Sequence, residues 1–129
     1  MAALGVARDD YKRALAAAIY QEGFALLAES VKECPVDKGR LRASGYVSPP
    51  VDAENPAATV GYGTDYAIYV HERTELRHPV GKAKFLSDPM NRRLSGYQQR
   101  IAARTQENYR SGVGVDAIPV EAPTTPGGG

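Results

Sequence analysis

Apolar positions in the first third of the chain fall into two stripes at helical spacing. One is Tyr11, Leu15, Ile19 and Leu26; beside it run Ala16, Tyr20, Phe24, Leu27 and Val31. At about 100° per residue they cover half a helix circumference, wider than the stripe one core face requires. The pattern predicts a helix from Asp9 or Asp10, either of which can cap it, to about Glu33, with Pro35 as the stop. Its breadth allows two placements: deep in one core, or between its own sheet and a neighbouring subunit. From Gly45 to Val47 the chain turns extended, Pro49-Pro50 and Asn55-Pro56 bracket a loop, and Ala58–Gly63 reads as a second strand. Together they predict a hairpin with a long connection. Tyr66–Glu72 reads as a short apolar helical turn, with Tyr66 and Tyr69 on one face. Arg73–Lys84, interrupted by Pro79 and Gly81, reads as a loop gaining strand character towards its end. Ser87 or Asp88 can cap a last helix with Pro89 in its first position. Its apolar stripe is narrow (Met90, Leu94, Tyr97, Ile101), with Arg93, Arg100 and Arg104 lined up beside it. After Tyr109 the periodicity fades, and the chain from Gly112 is rich in Gly and Pro.

The 129 residues suit one domain, expected over residues 1–112, followed by a segment over residues 113–129. That segment has no means of ordering itself, so it is expected to lie as an extended arm along an adjacent subunit or ring. No apolar run approaches the roughly 20 residues of a membrane helix. The single cysteine excludes an internal disulfide, and Cys34 reads as a small buried residue at a helix end.

Net charge is only +1, but it is unevenly spread. Between Arg77 and Arg104 lie seven cations (Arg77, Lys82, Lys84, Arg92, Arg93, Arg100, Arg104) against one acid, Asp88. The first helix carries Glu22, Glu29 and Glu33, so a basic end and an acidic face can pair head to tail with copies of the chain or with another ring. For Arg93, Arg100 and Arg104 three readings stand: a solvated helix flank, an interface with an acidic patch on another ring, or passive contact with DNA in a channel. The last ranks lowest, because a strongly basic lumen would hold DNA by counterion release.

Little in the sequence points to catalysis. Gly61-Tyr62-Gly63 lacks the third glycine of a dinucleotide fingerprint and the Gly-Lys-Ser/Thr of a nucleotide loop. His71 and His78, with Glu72 and Glu75, match no metal-ligand spacing. Ser44 has no evident base, and no nucleophile–base–orienter set is visible. The reading is therefore not an enzyme, with no cofactor. Eight tyrosines and no tryptophan supply amphipathic rings suited to interfaces.

The densest signal is Cys34-Pro-Val-Asp-Lys-Gly-Arg-Leu-Arg-Ala-Ser-Gly-Tyr46. Pro35 breaks the helix, Asp37 can accept from the Lys38 and Gly39 N–H groups, and Gly39 can take a positive φ. Leu41 then anchors a short basic turn between Arg40 and Arg42. Pro35, Asp37, Gly39 and Leu41 are thus expected to form a structural turn.

With the later Tyr66-Ala67-x-Tyr69-Val70 and Phe85-Leu86, these residues resemble a family of neck proteins of long-tailed phages. Its members are called tail-completion, head–tail joining, tail-component or minor capsid proteins. The family pattern is a long helix, Pro-Val-Asp-Thr-Gly-Arg-Leu-Arg-x-Ser, a Val-Gly strand, Tyr-Ala-x-Tyr-Val-Glu and Lys-x-Phe-Leu before a last helix. Pro35 to Ser44 follow it with Lys38 in place of Thr, and His71-Glu72-Arg73 stands where Glu-Phe-Gly is usual. The likeness runs from Asp10 to Tyr109. It implies an α+β fold, with the long N-terminal helix and a C-terminal helix packed on a curved antiparallel sheet of about four strands. It also implies a virion structural protein at the head–tail junction, assembled in the host cytoplasm as a ring, expected to be a hexamer. The implied partners are a head-closure or connector protein and a tail terminator or tail tube protein. Two rivals are a tail terminator or minor capsid ring component, and a small basic DNA-binding domain. Tyr66, Tyr69, Arg93, Arg100 and Arg104 are the candidate interface residues.

Overall fold

A computed structural model describes residues 2–71 and 76–119, with side chains over residues 8–71 and 79–119. The first helix, α1, spans Ala2–Glu33, so Asp9 and Asp10 are exposed residues within it rather than its cap. It stops where Pro35 requires. The Cys34 N–H still reaches the Ser30 carbonyl, and the Lys38 N–H closes a turn on Pro35 O. A five-residue helix, α2 (Gly39–Ala43), then leads into strand β1 (Gly45–Ser48).

The sheet is an open antiparallel meander in the order β1-β2-β3-β4, with β2 at Ala57–Tyr62, β3 at Tyr66–His71 and β4 at Leu76–Val80. The β1–β2 hairpin has the expected long loop, and Val47 pairs with Val60. Tyr66–His71 is a strand, not the helical turn its apolar run suggested; Glu72 lies outside the described residues. Its alternation decides the matter. Ile68 and Val70 are fully buried while Tyr69 between them is exposed, a period of two. The register shifts by one residue between Ala67 and Tyr69 against β4.

Helix α1 lies across the inner face of this sheet, where a Cβ at Gly23 would come 2.9 Å from Val47 and 3.4 Å from Val60. The C-terminal part is two helices, α3 (Lys84–Leu94) and α4 (Tyr97–Ser111), where one was expected. Gly96 at φ +76° makes the break, a conformation that only glycine adopts readily. α3 also starts earlier than Ser87, and Pro89 sits inside it as a buried residue. Both helices run antiparallel to α1: Asn108 donates to Ala14 O and to Gln21, Arg100 meets Glu22, and Arg92 meets Glu33. Most of the broad apolar surface of α1 is therefore covered within the chain, with Tyr11 left exposed at its amino-terminal end. Ile19, Leu26, Leu27 and Val31 meet Val60, Ile68 and Val70 of the sheet and Leu86, Met90, Tyr97 and Ile101 of α3 and α4 in one core.

Seven residues of the expected arm, 113–119, lie beside the chain's own α1. Val113 N–H bonds Asn108 O and Asp116 lies 3.8 Å from Arg13, with a 3-10 turn at Val115–Ala117 in place of an extended run. Residues 120–129 lie outside the described residues.

The structural turn differs from its expected form. Gly39 is not among the positive-φ glycines, it opens α2, and nothing lies within 4 Å of a Cβ built there. Lys38, without a side-chain cap bond, precedes the helix, and Asp37 is exposed. Gly61 is the constrained glycine of this region. A Cβ there would lie 2.5 Å from Tyr66 O and 2.8 Å from the Tyr46 hydroxyl across the hairpin. Gly39→Ala should therefore melt at or slightly above the wild-type midpoint, by about 0.5–1 kcal/mol of helix propensity. Gly61→Val should lose about 1–3 kcal/mol to overpacking. Thermal denaturation followed by circular dichroism reads both.

Candidate assembly surfaces

Arg93, Arg100 and Arg104 do not form a free basic face. They converge on Glu22 of α1, which is 2% exposed. Arg93 grips it through Nε at 2.9 Å and Nη2 at 3.0 Å, and Arg100 through Nε at 3.1 Å and Nη2 at 2.9 Å. Arg104 comes to 3.7 Å. Arg93 also reaches Glu29 at 2.5 Å, and Arg92 pairs with Glu29 and Glu33. Three glutamates of α1 thus pair with four arginines of α3 and α4 inside one chain. The acidic face meets the arginines of the expected basic segment within the chain, while Lys82 and Lys84 of that segment stay exposed.

The reason is Glu22 itself. It stands three residues after Ile19 and four before Leu26, on the buried stripe, where an unpaired carboxylate would be strongly disfavoured. An acid on an apolar helix face was the available signal for an internal partner. Burial pushes the Glu22 carboxyl up, but the hydrogen bonds and charges of Arg93 and Arg100 outweigh it and hold it below the usual carboxylate range. The same contacts, led by the bond to Glu22, raise Arg93 further.

Tyr66 and Tyr69 lie on opposite faces of β3, as an odd separation on a strand requires. Tyr66 packs inward edge-on to Phe85, with ring centroids 5.6 Å apart. Tyr69 is exposed and stands edge-on to His71 on the other face. Only Tyr69 remains available to a partner.

At the other end of the chain's first turn, Leu41 packs against the core and Arg40 is exposed. Arg42 is 4% exposed and donates from Nη2 to Val31 O at 3.1 Å, capping the carboxyl end of α1. Cys34 is buried beside it, and burial pushes its thiol up, which disfavours the reactive thiolate. Nearby, the Tyr62 hydroxyl bonds Ser30 at 2.8 Å, and burial pushes it up to about 12. These groups close the core. Among the described residues no three or more His, Cys, Asp or Glu gather where a metal could be held. Glu72, Glu75 and the His78 side chain lie outside what is described.

Two surface features were not anticipated. The first is a cleft of about 540 Å³ between the amino-terminal half of α1, the β1–β2 loop and the 3-10 turn. Its floor includes Ala16 and Pro50, its rim Val51, which is 94% exposed. The second is the α1–α2 corner, where Val36 is 80% exposed among Lys32, Lys38 and Arg40. No family model, curated protein or solved structure matches this chain.

Breaking the network should affect folding before it affects association. Glu22→Gln should lose about 3–5 kcal/mol, because the arginines are left without their buried counter-charge. The native pKa of Glu22 is depressed, so its contribution is present above the unfolded value of about 4.3 and is lost as pH falls through the lower native value. Urea denaturation at several pH values should show wild-type stability dropping in acid, with a flatter profile for Glu22→Gln.

Proposed function

We propose that this chain is a structural protein of the phage neck, a tail-completion or head–tail joining component that forms a ring between the head connector and the tail. The observation that carries this reading is the ordered set of motifs. Pro35 to Ser44 builds the turn, α2 and the entry to β1; Tyr66 to Val70 builds β3; Phe85-Leu86 opens α3. Three motifs resembling those of the family thus fall, in order, on the α1–β1 connection, on strand β3 and at the start of α3 of one α+β domain. The mechanism is interface burial. A rigid sheet and helix frame holds its loops and corners in fixed relation, and those loops supply contacts to neighbours.

The same reading gives the partners: further copies of this chain, a head-closure or connector protein on one side, and a tail terminator or tube protein on the other. A tail terminator or minor capsid ring would use the same physics at another position. The DNA-binding alternative loses support, because Arg92, Arg93, Arg100 and Arg104 already face carboxylates. Particles assembled without this protein should accumulate as filled heads and separate tails, and adding the purified protein should restore joining. Electron microscopy of the particles reads the outcome. Joined particles in its absence would remove the proposal, whereas tight, salt-steep binding to duplex DNA would favour the alternative.

A further inference from the structure

With the Glu22 network closed internally, two groups of charges without an ion-pair partner lie at the two ends of α1. At the cleft, four carboxylates (Asp9, Asp52, Glu54, Asp116) face two cations. Both cations are occupied within the chain, Lys12 by Glu54 and Arg13 by Asp116. Asp9 and Asp52 have no ion-pair partner among the described residues, and they flank the exposed Val51. At the α1–α2 corner the balance is reversed. Lys32, Lys38 and Arg40 are exposed without a carboxylate partner among the described residues; of the two acids there, Glu33 is taken by Arg92 and only Asp37 is unpaired, and Val36, between them in sequence, is exposed. From Lys12 to Lys32 the helix rises about 30 Å at 1.5 Å per residue. The two patches therefore cannot meet within one copy.

We infer that the α1–α2 corner of one copy docks into the cleft of the next. Val36 enters the apolar floor between Ala16 and Pro50, and Lys38 and Arg40 face Asp9 and Asp52. The occupant is a second copy of this chain, identified by complementary charge around one protruding apolar residue and one concave apolar floor. Because the two surfaces differ, the contact is head to tail, and repetition gives a closed ring or an open filament according to the rotation per step. The inference rests on the assembly reading above and supplies its subunit contact. It also replaces the pairing through Arg93, Arg100 and Arg104, which are committed inside the fold.

A charge swap tests it, since every residue changed is exposed. One variant carries Lys32→Glu, Lys38→Glu and Arg40→Glu; the other carries Asp9→Lys and Asp52→Lys. Circular dichroism and melting should be those of the wild type for both. In sedimentation velocity each variant alone should need roughly tenfold or more higher concentration than the wild type to associate, since like charges then face each other. An equimolar mixture should recover association, because each corner again meets a cleft of opposite sign. Variants that associate as the wild type does, or a mixture that fails to recover, would overturn this contact while leaving the neck assignment standing on the particle-joining experiment. A wild-type protein that stays monomeric at every concentration would overturn the contact and remove the self-assembled ring with it.

Discussion

The buried carboxylate of Glu22 organises the C-terminal half of the molecule. A charge removed from water needs counter-charges and hydrogen bonds in good geometry, and two bidentate arginines supply them. Those arginines come from different helices, Arg93 near the end of α3 and Arg100 in the first turns of α4. Both can reach one carboxylate only because the chain bends at Ser95-Gly96. The break in the helix, the antiparallel course along α1 and the pairing of Arg92 with Glu29 and Glu33 are thus parts of one arrangement. A hydrophobic stripe alone would leave α3 and α4 freer to slide along α1; the charged clasp fixes their register.

That clasp also governs what the surface can do. A chain with one strongly basic segment invites comparison with nucleic-acid binders, but its arginines are held by glutamates from the same molecule. Folding removes them from the pool of charges available to partners. What remains exposed includes Lys82 and Lys84 before α3, a basic corner with a protruding valine, and an acidic-rimmed cleft about 30 Å from that corner along α1. A long helix is well suited to hold two such patches apart at fixed distance, because it is pinned by the sheet on one side and by α3 and α4 on the other.

The carboxyl end of α1 shows the same economy with polar groups. Arg42 donates to the Val31 carbonyl, one of those left open at a helix end, while Ser30 and Tyr62 satisfy each other across the core. The motif that opened the comparison with phage neck proteins therefore has a structural role in this chain. Pro35 ends the helix, Leu41 enters the core and Arg42 closes the helix end, with Arg40 left outside.

The resemblance to the neck proteins implied the α+β class; the sequence by itself determined the long first helix with its stop before Pro35 and the β1–β2 hairpin with its long loop. These follow from local rules: periodicity, the missing proline N–H and paired apolar strands. It did not determine which way Tyr66–His71 would go, because the short apolar run Tyr66–Val70 fits either a helical turn or a strand until neighbouring strands offer hydrogen bonds on both sides. It pointed to Gly39 as the strained glycine, whereas strain and close approach fall at Gly96 and Gly61, where the fold brings a bend or another backbone. Above all, it set out Arg93, Arg100 and Arg104 in line but not what they face. Only tertiary structure placed Glu22 against them, because burial of that carboxylate depends on α1 being covered from both sides at once.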